Sequence, residues 1–158
     1  MADTRTLFQS LLQERGLEPT DRQLDQFDIY FRELVSWNEK MNLTAITERE
    51  PVFIKHFFDS LSVSFFHPMS DVKTLADIGS GAGFPSLPLK IMYPHLQVTV
   101  VDSLQKRIRF LQHLTSILGL GQVDLIHGRA EDVARLPEHR EKYDAVTARA
   151  VARLNVLS

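Results

Sequence analysis

Leu75-Ala76-Asp77-Ile78-Gly79-Ser80-Gly81-Ala82-Gly83-Phe84-Pro85 is the stretch that decides how this chain reads. Residues 72–78 form an apolar run of strand length. Residues 79–83 are a glycine-rich turn. Residues 84–92 read as a helix despite Pro85 and Pro88, which suit a first helical turn. Glycine lets the backbone turn tightly and lets a ligand approach it. The helix that follows offers free N–H groups and a positive dipole end. A dinucleotide fingerprint starting at Gly79 would need glycine at 84, where this chain has Phe84. The glycines instead alternate at 79, 81 and 83, with Asp77 two residues earlier. That pattern suits a zwitterionic amino-acid tail lying across the turn, its ammonium held by the acid directly or through water.

Downstream, the period stays that of alternating strands and helices. Residues 97–101 are a β-branched strand ending at Asp102. Residues 106–118 carry Ile108, Leu111, Leu114 and Leu118 at helical spacing, with Gly119 at the end. Residues 123–126 and 143–147 read as the third and fourth strands. Short connections between these elements predict a parallel sheet with right-handed crossovers. In such a sheet the ligand lies beyond the C-terminal strand ends. Asp102 stands twenty-three residues after Gly79, near the offset at which a strand-end acid accepts ribose hydroxyls. His127-Gly128-Arg129-Ala130-Glu131-Asp132 follows the third strand, where the adenine of an adenosine-containing ligand belongs. Its backbone can read the adenine edge, and Glu131 is placed to accept from the amino group. Taken singly, a strand-end Asp is as commonly a helix cap and a glycine-led turn only a turn. Together at consecutive strand ends they point to a nucleoside-type cofactor.

Upstream, the first 70 residues read as helical. Leu7, Leu11 and Leu12 precede a Gly16 stop. Thr20 and Gln23 have capping-box spacing ahead of one amphipathic helix of roughly 20 residues. Thr47 and Glu50 repeat that spacing before Phe53, Phe57 and Leu61. Phe57, Phe58, Phe65 and Phe66 read as helix-packing core. His56 reads as a partly buried histidine bonded to Asp59 or a backbone carbonyl, with the target base or a phosphate as the alternative. Pro68, Ser70 and Asp71 look like a junction. The expected division is a helical subdomain over residues 1–70 and a cofactor-binding domain over residues 71–158.

Composition narrows the chemistry. The 158 residues carry 18 Lys+Arg against 20 Asp+Glu, a net charge of -2, and no cysteine. Residues 1–70 hold 7 basic and 11 acidic side chains, and the remainder 11 and 9, so neither half is a strongly basic nucleic-acid footprint. Without cysteine there is no disulfide, thiolate nucleophile or Cys-ligated metal. Histidines at 56, 67, 95, 113, 127 and 139 lack metal-ligand spacing, so no metal is expected. No secretory signal and no run of 18 apolar residues occurs, and a cytoplasmic location is expected. GxSxG and GxxxxGK[ST] are absent, which removes hydrolase and P-loop readings.

With those residues in hand, the chain resembles the class I S-adenosylmethionine methyltransferases. More closely it resembles the guanine-N7 methyltransferases of 16S ribosomal RNA, the glucose-inhibited division protein B family. The likeness rests on Asn42-Leu43-Thr44-Ala45-Ile46-Thr47, Lys55-His56-Phe57-Phe58-Asp59-Ser60-Leu61, residues 77–85, Val101-Asp102-Ser103 with Lys106-Arg107, Gly128-Arg129-Ala130-Glu131 and Arg149-Ala150-Val151. It implies an α/β Rossmann-like three-layer sandwich preceded by a helical subdomain, and S-adenosyl-L-methionine as cofactor. It implies contacts from Gly79, Gly81, Phe84, Ala130, Glu131 and Arg149, with Asp102 and Ser103 as the ribose anchor. It implies 16S ribosomal RNA or the small ribosomal subunit as partner, and the intact protein is expected to be a monomer. Ser86 departs from the family, which has glycine after Phe-Pro, but a serine N–H remains available there. The seven-stranded fold continues for about half as long again, so the sheet is expected to stop after its fourth strand. Residues 143–147 would then be a bare edge in the order 3-2-1-4.

The implied reaction asks little of side-chain catalysis. Guanine N7 has a free lone pair and carries no proton, so no general base is needed and no catalytic residue is assigned. In-line positioning at about 3–3.5 Å is the enzyme's contribution. Two other readings stay open: a methyltransferase of another substrate, and a non-catalytic nucleotide-binding module.

Overall fold

The computed structural model describes residues 3–129, 143–148 and 154–156. Helix α1 (Thr4–Glu14) starts where Asp3 accepts from Thr6 N–H at 3.1 Å, and Gly16, at φ +80°, follows its end. Helix α2 (Asp21–Asn38) opens with the predicted capping box. Gln23 N–H donates to Thr20 Oγ1 at 3.1 Å, and Thr20 N–H donates to Gln23 Oε1 at 2.8 Å. Such a cap contributes about 1 kcal/mol. Its inner face buries Leu24, Phe27, Tyr30 and Leu34.

The second expected capping box does not form. Helix α3 (Arg49–Pro51) has Glu48 at its N-cap with no side-chain bond. Glu50 therefore falls at the second helical position, one short of the reach back to the cap. A π-helical turn (Val52–Phe58) continues the chain into α4 (Asp59–Ser62), and Asp59 N–H reaches Ile54 O five residues back. This wider turn faces Phe53 and Phe57 into one cluster with Phe8 and Phe27. The Phe8–Phe27 and Phe53–Phe57 ring centroids are each 5.0 Å apart. Of the four phenylalanines expected in the core, Phe57 is buried, Phe58 and Phe65 are half-buried and pair at 5.5 Å, and Phe66 is 87% exposed. Phe66 follows the end of α4, where no helical face continues to carry it inward.

The sheet comprises β1 (Thr74–Ile78), β2 (Gln97–Asp102), β3 (Val123–His127), β4 (Ala145–Ala148) and β5 (Leu154–Val156), in the order β3-β2-β1-β4-β5. Strands β1 to β4 run parallel. Strand β1 starts at Thr74, two residues later than expected, because a 3-10 turn (Met69–Asp71) occupies the chain before it. The bare fourth-strand edge is not found. Strand β5 pairs antiparallel with β4, setting Ala145 against Val156 and Thr147 against Leu154. The polar groups that would have lined an open edge thus find partners within the chain. Helix α5 (Ser86–Met92) follows β1, and α6 (Gln105–Leu118) follows β2 and ends at Gly119 in the left-handed region, φ +68°. Buried Lys90 of α5 donates to Pro94 O and Leu96 O, each at 2.6 Å, and its desolvation lowers its pKa. The helices ahead of β1 and the sheet share one buried cluster, running from Phe8 and Phe27 through Leu75 and Val100 to Ala145.

Candidate functional site

The C-terminal ends of β1, β2 and β3 meet at a shallow cleft of about 490 Å³, lined by Ile78, Gly79, Val101, Asp102, Ser103, Gly128 and Arg129. Parallel pairing sets Ile78 beside Val101 and Asp102 beside His127, which brings three strand ends to one level. Gly79 and Gly81 lie at φ +69° and +63°, conformations open to glycine at little cost. Gly79 N–H donates to Val101 O at 2.7 Å and Gly128 N–H to Asp102 O at 2.9 Å, stitching the three turns together.

Asp102 is 2% exposed and organises the cleft. Its Oδ1 accepts from Leu104 N–H at 2.9 Å and lies 3.6 Å from Arg107 Nη1. Its Oδ2 accepts from Gly81 N–H at 3.3 Å. A carboxylate has about four acceptor sites, so capacity remains for a ligand hydroxyl.

Asp77 lies fully buried under the glycine turn. Its Oδ2 accepts from Ser86 N–H at 3.2 Å, so the serine that departs from the family supplies the N–H expected of it. Burial pushes this carboxyl up to about 7, against the pull of Ser86 and Thr147 and with Asp102 adding to the rise. Asp77 Oδ1 has no hydrogen-bond partner, and neither has Ser80 Oγ. Ser80 Oγ lies in the turn and Asp77 Oδ1 in the strand before it, and orphaned buried polar atoms such as these are what a polar ligand would satisfy.

A second cavity, of about 400 Å³, opens at the same turn. It is lined by Ser80, Ala82, Phe84 and Pro85 together with Thr44, Ile46, His56 and Asp59 among others. Phe84 is sandwiched in a column of rings. Tyr30 lies 5.5 Å from it at 12°, and His56 lies 4.6 Å from it at 13°. Tyr30 Oη donates to Ala82 O at 2.5 Å, tying α2 to the turn. Burial, with Asp77 near, pushes the Tyr30 phenol well above its usual range, so it stays a donor. His56 is half-buried, as expected, and its Nε2 lies 2.7 Å from Thr44 Oγ1. The Thr44 hydroxyl also accepts from Ile46 N–H at 3.0 Å, and Asn38 Oδ1 holds Leu43 N–H and Thr44 N–H at 2.7 and 2.9 Å.

The predicted site residues therefore divide. Gly79, Asp102 and Ser103 line the cleft, and Gly81 joins them through its bond to Asp102. Phe84 stands apart, in the wall of the second cavity. Ala130, Glu131 and Arg149 lie outside the described residues. Sequence reasoning missed the second cavity, the ring column and the Tyr30 anchor, because they join residues far apart in the chain. The signal in the sequence was His56, whose alternative reading turned it toward a target base or a phosphate. Among the described residues no group of three His, Asp or Glu side chains could hold a metal, and no helix is long and apolar enough to cross a membrane.

Residues 23–158 match the GidB family, described as rRNA small subunit methyltransferase G. A ribosomal RNA small subunit methyltransferase G from Bacillus cytotoxicus is 59% identical over 151 residues, 96% of this chain and 63% of that protein. A Bacillus thuringiensis protein of the same name matches equally over the same shares. The chain thus spans 63% of the length of these curated relatives. Among solved structures, a protein-L-isoaspartate O-methyltransferase aligns with TM-score 0.58 at 16% identity, over 91% of this chain and 47% of that one. An O-methyltransferase from Bacillus cereus in complex with SAH aligns with TM-score 0.53 at 17% identity, over 94% and 62%. At such identities the likeness is one of fold.

Proposed function

This chain belongs to the GidB family, the rRNA small subunit methyltransferases G, and on that premise we propose that it transfers a methyl group from S-adenosyl-L-methionine to N7 of a guanine in 16S ribosomal RNA. The observation that carries the reading is the cleft lined by Gly79, Asp102 and Ser103, where Asp102 also accepts from Gly81 N–H, with the orphaned buried Asp77 Oδ1 in the strand that leads into it. A ribose and an ammonium are the groups such a set satisfies. Asp102 takes the ribose hydroxyls, with Ser103 beside it. Gly79 and Gly81 let the amino-acid tail lie on the backbone, and Asp77 balances its ammonium. Ala130, Glu131 and Arg149 complete the contacts by resemblance to the family. Bound there, S-adenosylmethionine supplies an electrophilic methyl group on a sulfonium.

The residues' own work is positional. Asp102 is fixed by Leu104 N–H and Arg107, so a ligand ribose meets an acceptor that is already aimed. Tyr30 and Phe84 hold the glycine turn from behind. Guanine N7 brings its own lone pair, so holding two reactants in line supplies the rate enhancement. The partner is 16S ribosomal RNA or the small subunit, the intact protein acts as a monomer without metal, and its place is the cytoplasm. Incubation with methyl-labelled S-adenosylmethionine and stripped 16S ribosomal RNA, followed by nucleoside analysis, tests the reading. Label in 7-methylguanine is expected. Label in another base, or calorimetric binding of NAD in preference to S-adenosylhomocysteine, would overturn it.

A further inference from the structure

We infer that the second cavity receives the target guanine, and that Asp59 selects it by reading its Watson–Crick edge. The inference rests on the guanine-N7 reading above and assigns the substrate side of that site.

The cavity's size comes first. At about 400 Å³ it lies near the small end of ligand pockets, about 300–1,000 Å³, and takes one base rather than a stretch of strand. Its position comes second. It shares the glycine turn with the cofactor cleft: Gly79 lines the cleft, and Ser80, one peptide on, lines the cavity. The two sites therefore meet at this turn, where Gly79 and Ser80 are neighbours in the chain.

Its lining fits an extruded purine. Enzymes that act on a base draw it from its stack, hold it between flat side chains and hydrogen-bond its Watson–Crick edge. The His56 ring, parallel to Phe84 at 4.6 Å, supplies a flat wall backed by the Tyr30 column. Ser80 Oγ, in a residue 2% exposed and without a partner, supplies a polar atom that a ligand can satisfy. Asp59 is exposed, lines the cavity, and has no side-chain hydrogen bond or ion pair to any described residue.

Asp59 supplies the selection. An ionised carboxylate only accepts, through two adjacent oxygens. Guanine's Watson–Crick edge presents two adjacent donors, N1–H and the N2 amino group. Adenine presents a lone pair at N1, which a carboxylate repels. In a purine N7 lies on the far side from that edge. A guanine held by Asp59 therefore turns N7 away from that carboxylate, in a cavity lined also by the glycine turn.

The test uses the 158-residue chain loaded with S-adenosylhomocysteine, with guanosine and adenosine 5′-monophosphates as probes followed by saturation-transfer NMR titration. The guanine nucleotide should bind at least about 10-fold tighter than the adenine one, from the loss of a charged hydrogen bond. Asp59→Asn and Asp59→Ala should each erase that preference while S-adenosylhomocysteine affinity stays within about twofold. A preference that survives both variants, or no preference in the parent chain, overturns Asp59 as the reader. A tenfold loss of S-adenosylhomocysteine affinity in Asp59→Asn assigns the cavity to the cofactor and overturns the inference. If the parent chain does not bind S-adenosylhomocysteine, the proposed function fails first and takes this inference with it. Circular dichroism of both variants excludes misfolding as the cause of a lost preference.

Discussion

Asp77 is a carboxylate with one partnered oxygen, held where water cannot reach it. Its ordinary value is 3.8, and burial raises it to about 7 in the fold. Between those two pH values the folded state holds the proton more tightly than the unfolded chain. Its contribution to stability is fully present below about pH 4 and is lost as pH rises to about 7. Asp77→Asn keeps an acceptor for Ser86 N–H and carries no charge. Unfolding free energies of variant and parent from urea titrations should coincide near pH 4 and differ by a few kcal/mol in the variant's favour by pH 8. A constant difference across that range would show that Asp77 does not titrate there. The same substitution should weaken S-adenosylhomocysteine at pH 8, since it removes the balance to the ammonium. Asp102→Ala should weaken that ligand by about 10- to 150-fold, the worth of a hydrogen bond to a charged group, measured calorimetrically. Unchanged affinity in a folded variant would remove Asp102 from the site.

At the scale of elements, the glycine turn is held more tightly than a loop needs to be. Gly83 sits at φ +98°, and a Cβ there would stand 2.6 Å from Tyr30 Oη and 2.9 Å from Leu87 Cδ1. Gly83→Ala should cost at least about 1–3 kcal/mol from backbone strain alone. Gly121 has ordinary φ and open space around its missing Cβ, so Gly121→Ala should fall within about 0.5 kcal/mol of the parent. Equal effects of the two in urea unfolding would refute the turn's geometry. Tyr30→Phe removes the donor to Ala82 O and should cost about 1–3 kcal/mol. Because that bond joins α2 to the turn, the loss should appear in S-adenosylhomocysteine affinity as well as in stability. The π-helical turn plays the corresponding part on the other side, carrying His56 to Phe84; such turns recur at functional sites.

For the whole molecule, one core has consequences for how it comes apart. Trp37 of α2 lies 5.6 Å from Phe110 of α6, and α2 also bonds through Gln26 to Leu118 O at 2.9 Å. The junction at Pro68, Ser70 and Asp71 and the change of period after it divide the sequence into residues 1–70 and 71–158, but one buried cluster spans both. Trp37 fluorescence and far-UV circular dichroism should therefore report one coincident urea transition. Two separated transitions would mean that the helical part folds by itself.

The sequence by itself determined the α/β class, the strand order 3-2-1-4, the Thr20 cap and the cleft residues Gly79, Gly81, Asp102 and Ser103. The class, the cap and the strand-end acid follow from local chemistry, a period of two or of three to four, a capping spacing or an acid at a strand end, each legible within a few residues, whereas the strand order and Ser103 came from the resemblance to the family. The fifth strand escaped because three residues carry no readable period, and only the neighbouring β4 gives them a partner. The capping box at Thr47 failed because packing of the phenylalanines set where that helix begins, and a spacing match cannot see packing. The second cavity was decided by tertiary structure alone. Thr44, His56, Asp59 and Phe84 meet only because the helical segment folds back over the glycine turn, and burial of the aromatic cluster, which no short window of sequence encodes, is what closes it there.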